Sequence, residues 1–147
     1  MKPKVLIVDD HEIVREGIRR LLSSSRPDWE ICGEATNGRQ AIDVVQRLKP
    51  DVVVLDITMP GMSGLEAAPH IVKLNLGARI LIFTMHDSDR LTTEVQEVGA
   101  QGYVQKSQAA RDLVIAIECL LQGGTFFKGE CKRDATGRTE YRETRTT

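Results

Sequence analysis

Five polar residues stand where apolar runs end. Asp9 and Asp10 close the run Val5–Val8, and Asp56 closes Val52–Leu55. Thr84 ends Ile80–Phe83, and Lys106 ends the short run Gly102–Gln105. Three carboxylates, one hydroxyl and one ammonium form a set suited to phosphate chemistry. Carboxylates held together repel one another and ionise most easily around a cation. An all-oxygen partial shell completed by water suits Mg²⁺. One carboxylate left reactive beside such an ion can attack a phosphoryl group and become an aspartyl phosphate. A lysine supplies a point charge for a phosphate oxygen, and a threonine hydroxyl donates to another.

Each residue also has a plainer role. Asp10 could cap the helix that starts near His11, and Asp56 could begin the turn that runs to Pro60-Gly61. Thr84 and Lys106 taken singly read as a strand-end hydroxyl and a solvated cation, and Tyr103 as packing. Asp9 has no such alternative, and two adjacent acids at a strand end are costly without a cation. The coincidence at four strand ends favours the functional reading.

Those ends must meet in space, and the rest of the sequence supplies the means. Short apolar runs alternate with amphipathic stretches, the pattern of β/α alternation. Val14, Ile18, Leu21 and Leu22 recur at helical spacing after the first strand. Trp29–Glu34 reads as a second strand with Trp29 at its solvent-facing mouth. Asn37 with Gln40 forms a capping box before Ala41, Val44, Val45 and Leu48, and Pro50 stops that helix. Ser63 with Glu66 opens a third helix. Asp87 or Ser88 starts a fourth, whose apolar stripe of Leu91, Val95 and Val98 is thin, and Ser107 caps a fifth. The expected fold is α/β, a doubly wound five-stranded parallel sheet of order 2-1-3-4-5, flavodoxin-like. That order puts its reversal between strands 1 and 3, beside Asp9, Asp10 and Asp56, and ligands bind at such a reversal.

Composition sets outer bounds. The chain has 147 residues, a formal net charge of −1, and apolar and charged fractions of 41% and 28%, as in a soluble domain with an ordinary core. Such a charge draws neither nucleic acid nor an anionic membrane. No apolar run approaches the ~20 residues of a membrane span, and Met1-Lys2-Pro3 leads into a strand, not a signal peptide. Cys32, Cys119 and Cys131 form no CxxC pair and read as idle thiols of a reducing cytoplasm. His11, His70 and His86 form neither HxxxH nor HExxH, which argues against zinc. GxSxG, GxGxxG and GxxxxGK[ST] are all missing from the sequence, which argues against a hydrolase elbow and against nucleotide binding by those routes. From Thr125 on, charges of both signs and threonines dominate. Residues 1–124 are therefore expected to form the domain, and 125–147 a flexible tail without an output domain. The tail's Lys128, Lys132, Arg133, Arg138, Arg142 and Arg145 are interleaved with acids, so sequence-specific DNA binding is not expected.

Val8-Asp9-Asp10, Leu55-Asp56, Met59-Pro60-Gly61-Met62-Ser63-Gly64, Thr84 and Gly102-Tyr103-Val104-Gln105-Lys106 together resemble the receiver domain of two-component response regulators (CheY-like), from about Lys4 to Gly124. Asp9-Asp10-His11, Arg15-Glu16-Gly17 and Gly99-Ala100-Gln101-Gly102-Tyr103 resemble its NarL/FixJ branch. The resemblance implies a cytoplasmic phosphoprotein that is not an enzyme, although it can hydrolyse its own aspartyl phosphate. It implies Asp56 as phosphoacceptor, and Mg²⁺ on Asp10, Asp56 and the Thr58 carbonyl, with Asp9 acting through water. Thr84 and Tyr103 become the switch pair, and Lys106 contacts the phosphoryl group. The implied partners are a histidine kinase or phosphotransfer protein and a second copy through the face of helix 4, strand 5 and helix 5. The regulated output would be transcription in a full-length regulator.

Two features depart from that pattern. The branch usually carries a C-terminal helix-turn-helix domain, and the residues after Gly124 fall short of the ~50 a domain needs. The chain therefore reads as a stand-alone receiver or a piece of a longer regulator. Ser107 replaces a frequent proline after the lysine. A phosphatase of the haloacid dehalogenase type is disfavoured, because its second acid would fall at Thr58. A purely structural module is disfavoured by the complete acid set.

Overall fold

Val52–Asp56 (β3) is apolar on both faces until its last residue and is buried throughout, as a central strand covered by helices must be. The computed structural model describes residues 2–133. Around β3 run β1 (Lys4–Val8), α1 (Glu12–Ser25), β2 (Glu30–Ala35), α2 (Gly38–Leu48), α3 (Gly64–Lys73), β4 (Arg79–Thr84), α4 (Leu91–Glu97), β5 (Gly102–Gln105), α5 (Ala109–Leu121), β6 (Thr125–Phe127) and β7 (Glu130–Lys132). The sheet order is β2-β1-β3-β4-β5-β6-β7. The five expected strands keep the order 2-1-3-4-5, and the sheet is two strands wider than expected. All pairs are parallel but the last, where β6 and β7 form an antiparallel hairpin.

Alternation along the strands builds two cores. Leu6, Val8, Val53, Leu55, Ile80 and Ile82 face α2, α3 and α4, meeting Val44, Val45, Ile71, Leu91 and Val95. Val5, Ile7, Val52, Val54, Leu81 and Phe83 face α1 and α5, meeting Ile18, Leu22, Leu113, Ile117 and Leu120.

Local signals held unevenly. Ser63 and Glu66 form a complete capping box. Asn37 Oδ1 accepts from Gln40 N, but the Gln40 side chain accepts from Thr36 N rather than closing the box on Asn37. Trp29 is not at a solvent-facing mouth. It is 6% exposed, in the second core, with the Arg26 guanidinium 4.5 Å from its ring centroid. α4 begins at Leu91 instead of Asp87 or Ser88, and no side chain caps it. Ser107 does not cap α5, because Lys106–Gln108 first makes a single 3₁₀ turn.

The largest departure is at the end of the domain. Residues 125–132, read as the start of a flexible tail, form β6 and β7, while 134–147 lie outside the described residues. Gly102 permits this: a Cβ there would come within 2.4 Å of Phe126 O. The thiol reading of the cysteines is also corrected, since Cys119 of α5 is disulfide-bonded to Cys131 of β7 and only Cys32 is free. Among the described residues no helix is long and apolar enough to cross a membrane.

Candidate functional site

Strand register brings the acids together. Val8 pairs with Leu55, so the next residues, Asp9 and Asp56, leave adjacent strands at the carboxyl edge. Asp56 pairs with Phe83, and Thr84 with Gln105, which sets Thr84 and Lys106 beside them. After Asp56 the chain turns sharply. Gly64 N donates to Ile57 O, and a Cβ on Gly64 would lie 2.0 Å from Asp56 O. A side chain there would push α3 off the end of β3.

Asp9 and Asp56 are 0% and 4% exposed, and buried carboxylates need partners. Lys106 supplies them, its Nζ 2.9 Å from Asp9 Oδ2 and 3.3 Å from Asp56 Oδ1. The Lys106 ammonium also lies 5.8 Å from the Phe83 ring centroid. Asp9 Oδ1 accepts from His11 N at 2.9 Å, with His11 Nδ1 at 3.1 Å. Arg15 fixes the backbone by donating to Asp9 O at 2.8 Å while its Nε donates to Glu34.

The electrostatics follow from this burial. Desolvation first, then the charge of Asp9, raise the Asp56 pKa, while Lys106 and the Thr58 backbone bond oppose the rise. Burial works against the Lys106 ammonium, but Asp9 and Asp56 outweigh it and its pKa is raised. The acids thus hold the lysine charged, and its charge lets them stay close.

Asp10 is different. Its Oδ1 is a buried atom with no hydrogen-bond partner, although His11 Nδ1 stands 3.2 Å away. An orphaned carboxylate oxygen beside further carboxylates is what a cation would satisfy. Asp9, Asp10, His11 and Asp56 each offer one ligand atom, all within 4.8 Å of one another. This set can hold a divalent metal ion. His11 was not among the expected ligands. Its mark in the sequence is its position directly after Asp9-Asp10.

The other expected residues sit around this centre. Thr84 is fully buried, and its Oγ1 accepts from His86 N at 3.0 Å. Thr58 Oγ1 and His86 Nε2 are 3.3 Å apart, linking the loops after β3 and β4. Tyr103 already points inward. It is 9% exposed, its hydroxyl is 3.5 Å from Thr92 Oγ1, and its ring meets Phe127 edge-on at 6.0 Å.

Comparison with known proteins agrees with this arrangement. Residues 5–118 match the response regulator receiver domain family. The chain is 33% identical to the transcriptional regulatory protein DegU of Brevibacillus brevis, over 85% of this chain and 52% of that protein. It is 36% identical to the nitrate/nitrite response regulator protein NarL of Escherichia coli K12, over 77% and 52%. The chain thus spans about half the length of these curated relatives. Among solved structures, a LuxR-family two-component response regulator from Aurantimonas sp. SI85-9A1 superimposes with a TM-score of 0.78 at 44% identity, covering 84% of this chain and 87% of that one. The signal receiver domain of a NarL from Mycobacterium tuberculosis also gives 0.78, at 33% identity, over 83% and 98%. The buried acid pair bridged by a strand-end lysine, on a CheY-like sheet with these relatives, makes this chain a response regulator receiver domain of two-component systems, of the NarL kind and homologous to transcriptional regulators.

Proposed function

We propose that this receiver is a phosphoryl-accepting switch in which Asp56 takes a phosphoryl group from the phosphohistidine of a histidine kinase or phosphotransfer protein in the cytoplasm. The observation that carries this reading is the meeting of Lys106 Nζ with Asp9 and Asp56 at one buried edge. An Asp56 carboxylate oxygen attacks phosphorus, the phosphorus–nitrogen bond breaks, and the imidazole leaves with the electron pair. Asp10 and Asp56, with the Thr58 carbonyl, would hold Mg²⁺, and Asp9 would support it through water. The ion, when bound, screens the anionic oxygens that meet during transfer. Lys106 moves from the carboxylates to a phosphoryl oxygen, and the Thr84 hydroxyl, whose oxygen accepts from His86 N, donates its own hydrogen to another. Water attacking the same phosphorus ends the signal, so the chain turns over its own phosphoryl group without being an enzyme for foreign substrates.

Output follows from the strand ends that move. Drawing Thr84 and Lys106 inward shifts the face of α4, β5 and α5. That face holds a cleft of about 340 Å³ whose lining includes Tyr103, Gln105, Arg111 and Lys128. A second copy or another partner binds this face, and transcription is the output in the whole regulator. DNA is not read by this chain itself. Incubation with Mg²⁺ and a small phosphodonor, followed by intact mass, should add one phosphoryl group to the chain and none to Asp56→Asn. Equal labelling of that variant would remove Asp56 from the role.

A further inference from the structure

Cys119 and Cys131 join α5 to the last strand of the sheet. Cys119 is buried at 2% exposure, whereas Cys131 is exposed on β7. Little else holds that strand. All three of its residues are exposed, and among the described residues it pairs with β6 alone. β6 in turn meets β5 at one register position, Gly102 with Phe126. The hairpin turn Lys128-Gly129 lines the same cleft as Tyr103 and Arg111, and Phe127 meets the Tyr103 ring edge-on. The bond therefore fixes one wall of that cleft to α5. The corner is also fitted for the open state. Thr125 O lies 3.3 Å from Cys119 Sγ, so a buried thiol formed there has an acceptor and leaves no unpaired group. Gly124 keeps the corner clear, since a Cβ there would fall 2.9 Å from Cys119 Sγ and 2.8 Å from Lys132 O.

We propose that Cys119 and Cys131 are a redox-active pair opened by a dithiol reductant, and that their bond latches the β6–β7 hairpin onto the face of α4, β5 and α5. A bond of this kind in a cytoplasmic protein is as a rule transient or redox-sensing, and exposed disulfides are the labile ones. A thiolate of the reductant attacks the exposed Cys131 Sγ. The sulfur–sulfur bond breaks, its electron pair leaves on Cys119 Sγ, and that sulfur takes a proton. The reductant's second thiol, deprotonated, then attacks its own sulfur in the mixed disulfide, and Cys131 leaves and is protonated. The protein disulfide is reduced to two thiols and the dithiol is oxidised to a disulfide. With the latch open, β7 keeps only its bonds to β6, and the cleft loses its fixed wall. The consequence for output rests on the cytoplasmic switch proposed above; the exchange itself does not.

The test uses the whole chain with Cys32→Ser, because Cys32, the third cysteine, lies on β2 at the opposite sheet edge. The chain is equilibrated against reduced and oxidised dithiothreitol in varied ratio. Alkylation and intact mass should show both thiols appearing together, and disappearing when the ratio is reversed. Reduction should speed amide exchange in residues 125–132 by about tenfold or more, with a smaller change in the same sense across Gly102–Gln105. Val52–Asp56 should stay as it was. Cys131→Ser, at an exposed position, should match the reduced chain in every buffer. Thiols that form only on unfolding, or a reduced chain whose hairpin exchanges like the oxidised one, would overturn the latch. Labelling by a small phosphodonor, run on both states, separates this from the phosphoryl reading. Equal labelling is expected; labelling of neither state would overturn that reading and leave the latch standing.

Discussion

At Asp10 the needs of folding and of ion binding conflict. A buried carboxylate oxygen without a partner costs about 1–3 kcal/mol, and Asp9 and Asp56 lie close by. Asp10→Ala removes the orphan and the repulsion together, so it should raise stability by about 1 kcal/mol while abolishing Mg²⁺ binding. Denaturant midpoints and a Mg²⁺ titration on the same samples check both halves, and unchanged Mg²⁺ affinity would exclude Asp10 as a ligand. Glu34 shows the opposite economy. Burial favours its neutral form, but hydrogen bonds from Arg15 and Arg19 outweigh that and lower its pKa below the ordinary 4.5. Its contribution is therefore present above about pH 4.5 and lost as pH falls through the lowered folded value. Glu34→Gln should cost about 1 kcal/mol or less near pH 7, since these groups are partly exposed. Once the pH falls below the lowered folded value the difference should vanish; a pH-independent deficit would assign the loss to packing instead. The ends of the apolar runs identified Asp9, Asp56, Thr84 and Lys106 as strand-end residues because a strand buried on both faces announces its last residue by the change to polar. Arg15 and His11 carried no such mark, because what they contact depends on how α1 leaves β1.

Elements were legible in proportion to how local their causes are. The Ser63–Glu66 box and the stop before Pro50 depend on neighbouring residues, and both formed, Lys49 closing α2 with a φ of 49°. Trp29 failed because its burial depends on α1 and α5 crossing over it, and Ser107 because a 3₁₀ turn precedes α5. The β6–β7 hairpin failed for a similar reason. Strands of three residues are too short for a periodicity to read, and their order comes from β5 and from the Cys119–Cys131 bond. Cysteine pairing is not deducible from spacing alone. A bond between cysteines 12 residues apart constrains the unfolded chain by about 2–3 kcal/mol. Cys131→Ser should therefore unfold earlier by about 2 kcal/mol, a reductant should give the parent chain the same loss, and the variant should not respond to it. If reductant leaves the parent chain's midpoint unmoved, the hairpin is held by packing and not by the bond.

For the whole molecule, the question is how a charge placed on Asp56 reaches a surface. The two cores are unequal in how firmly they hold their helices. α5 buries Leu113, Ala116, Ile117 and Leu120 against the sheet and is tied to β7 through Cys119. α4 has seven residues, no side-chain cap, and Leu91 and Val95 as its buried anchors, with Met85 left 80% exposed before it. Segments with few buried contacts open at the lowest cost, so α4 is the helix expected to move under the proposed function. Tyr103 is turned inward against Phe127 and shares the core beneath α4, which ties the sixth strand to that face. The expected change is a shift of α4 over Tyr103, biased by Thr84 as its hydroxyl turns its hydrogen to the phosphoryl group. Phosphorylation would then act as a population shift toward the α4 position in which Thr84 reaches the phosphoryl group. Amide exchange with and without a beryllofluoride mimic should alter Leu91–Glu97 and Gly102–Gln105. It should leave Glu12–Ser25 and Gly38–Leu48 as they were. Tyr103→Ala should uncouple the two, keeping the mimic's effect at Thr84 while losing it across α4. Protection changes confined to α1 and α2 would rule out the face of α4, β5 and α5 as the output surface.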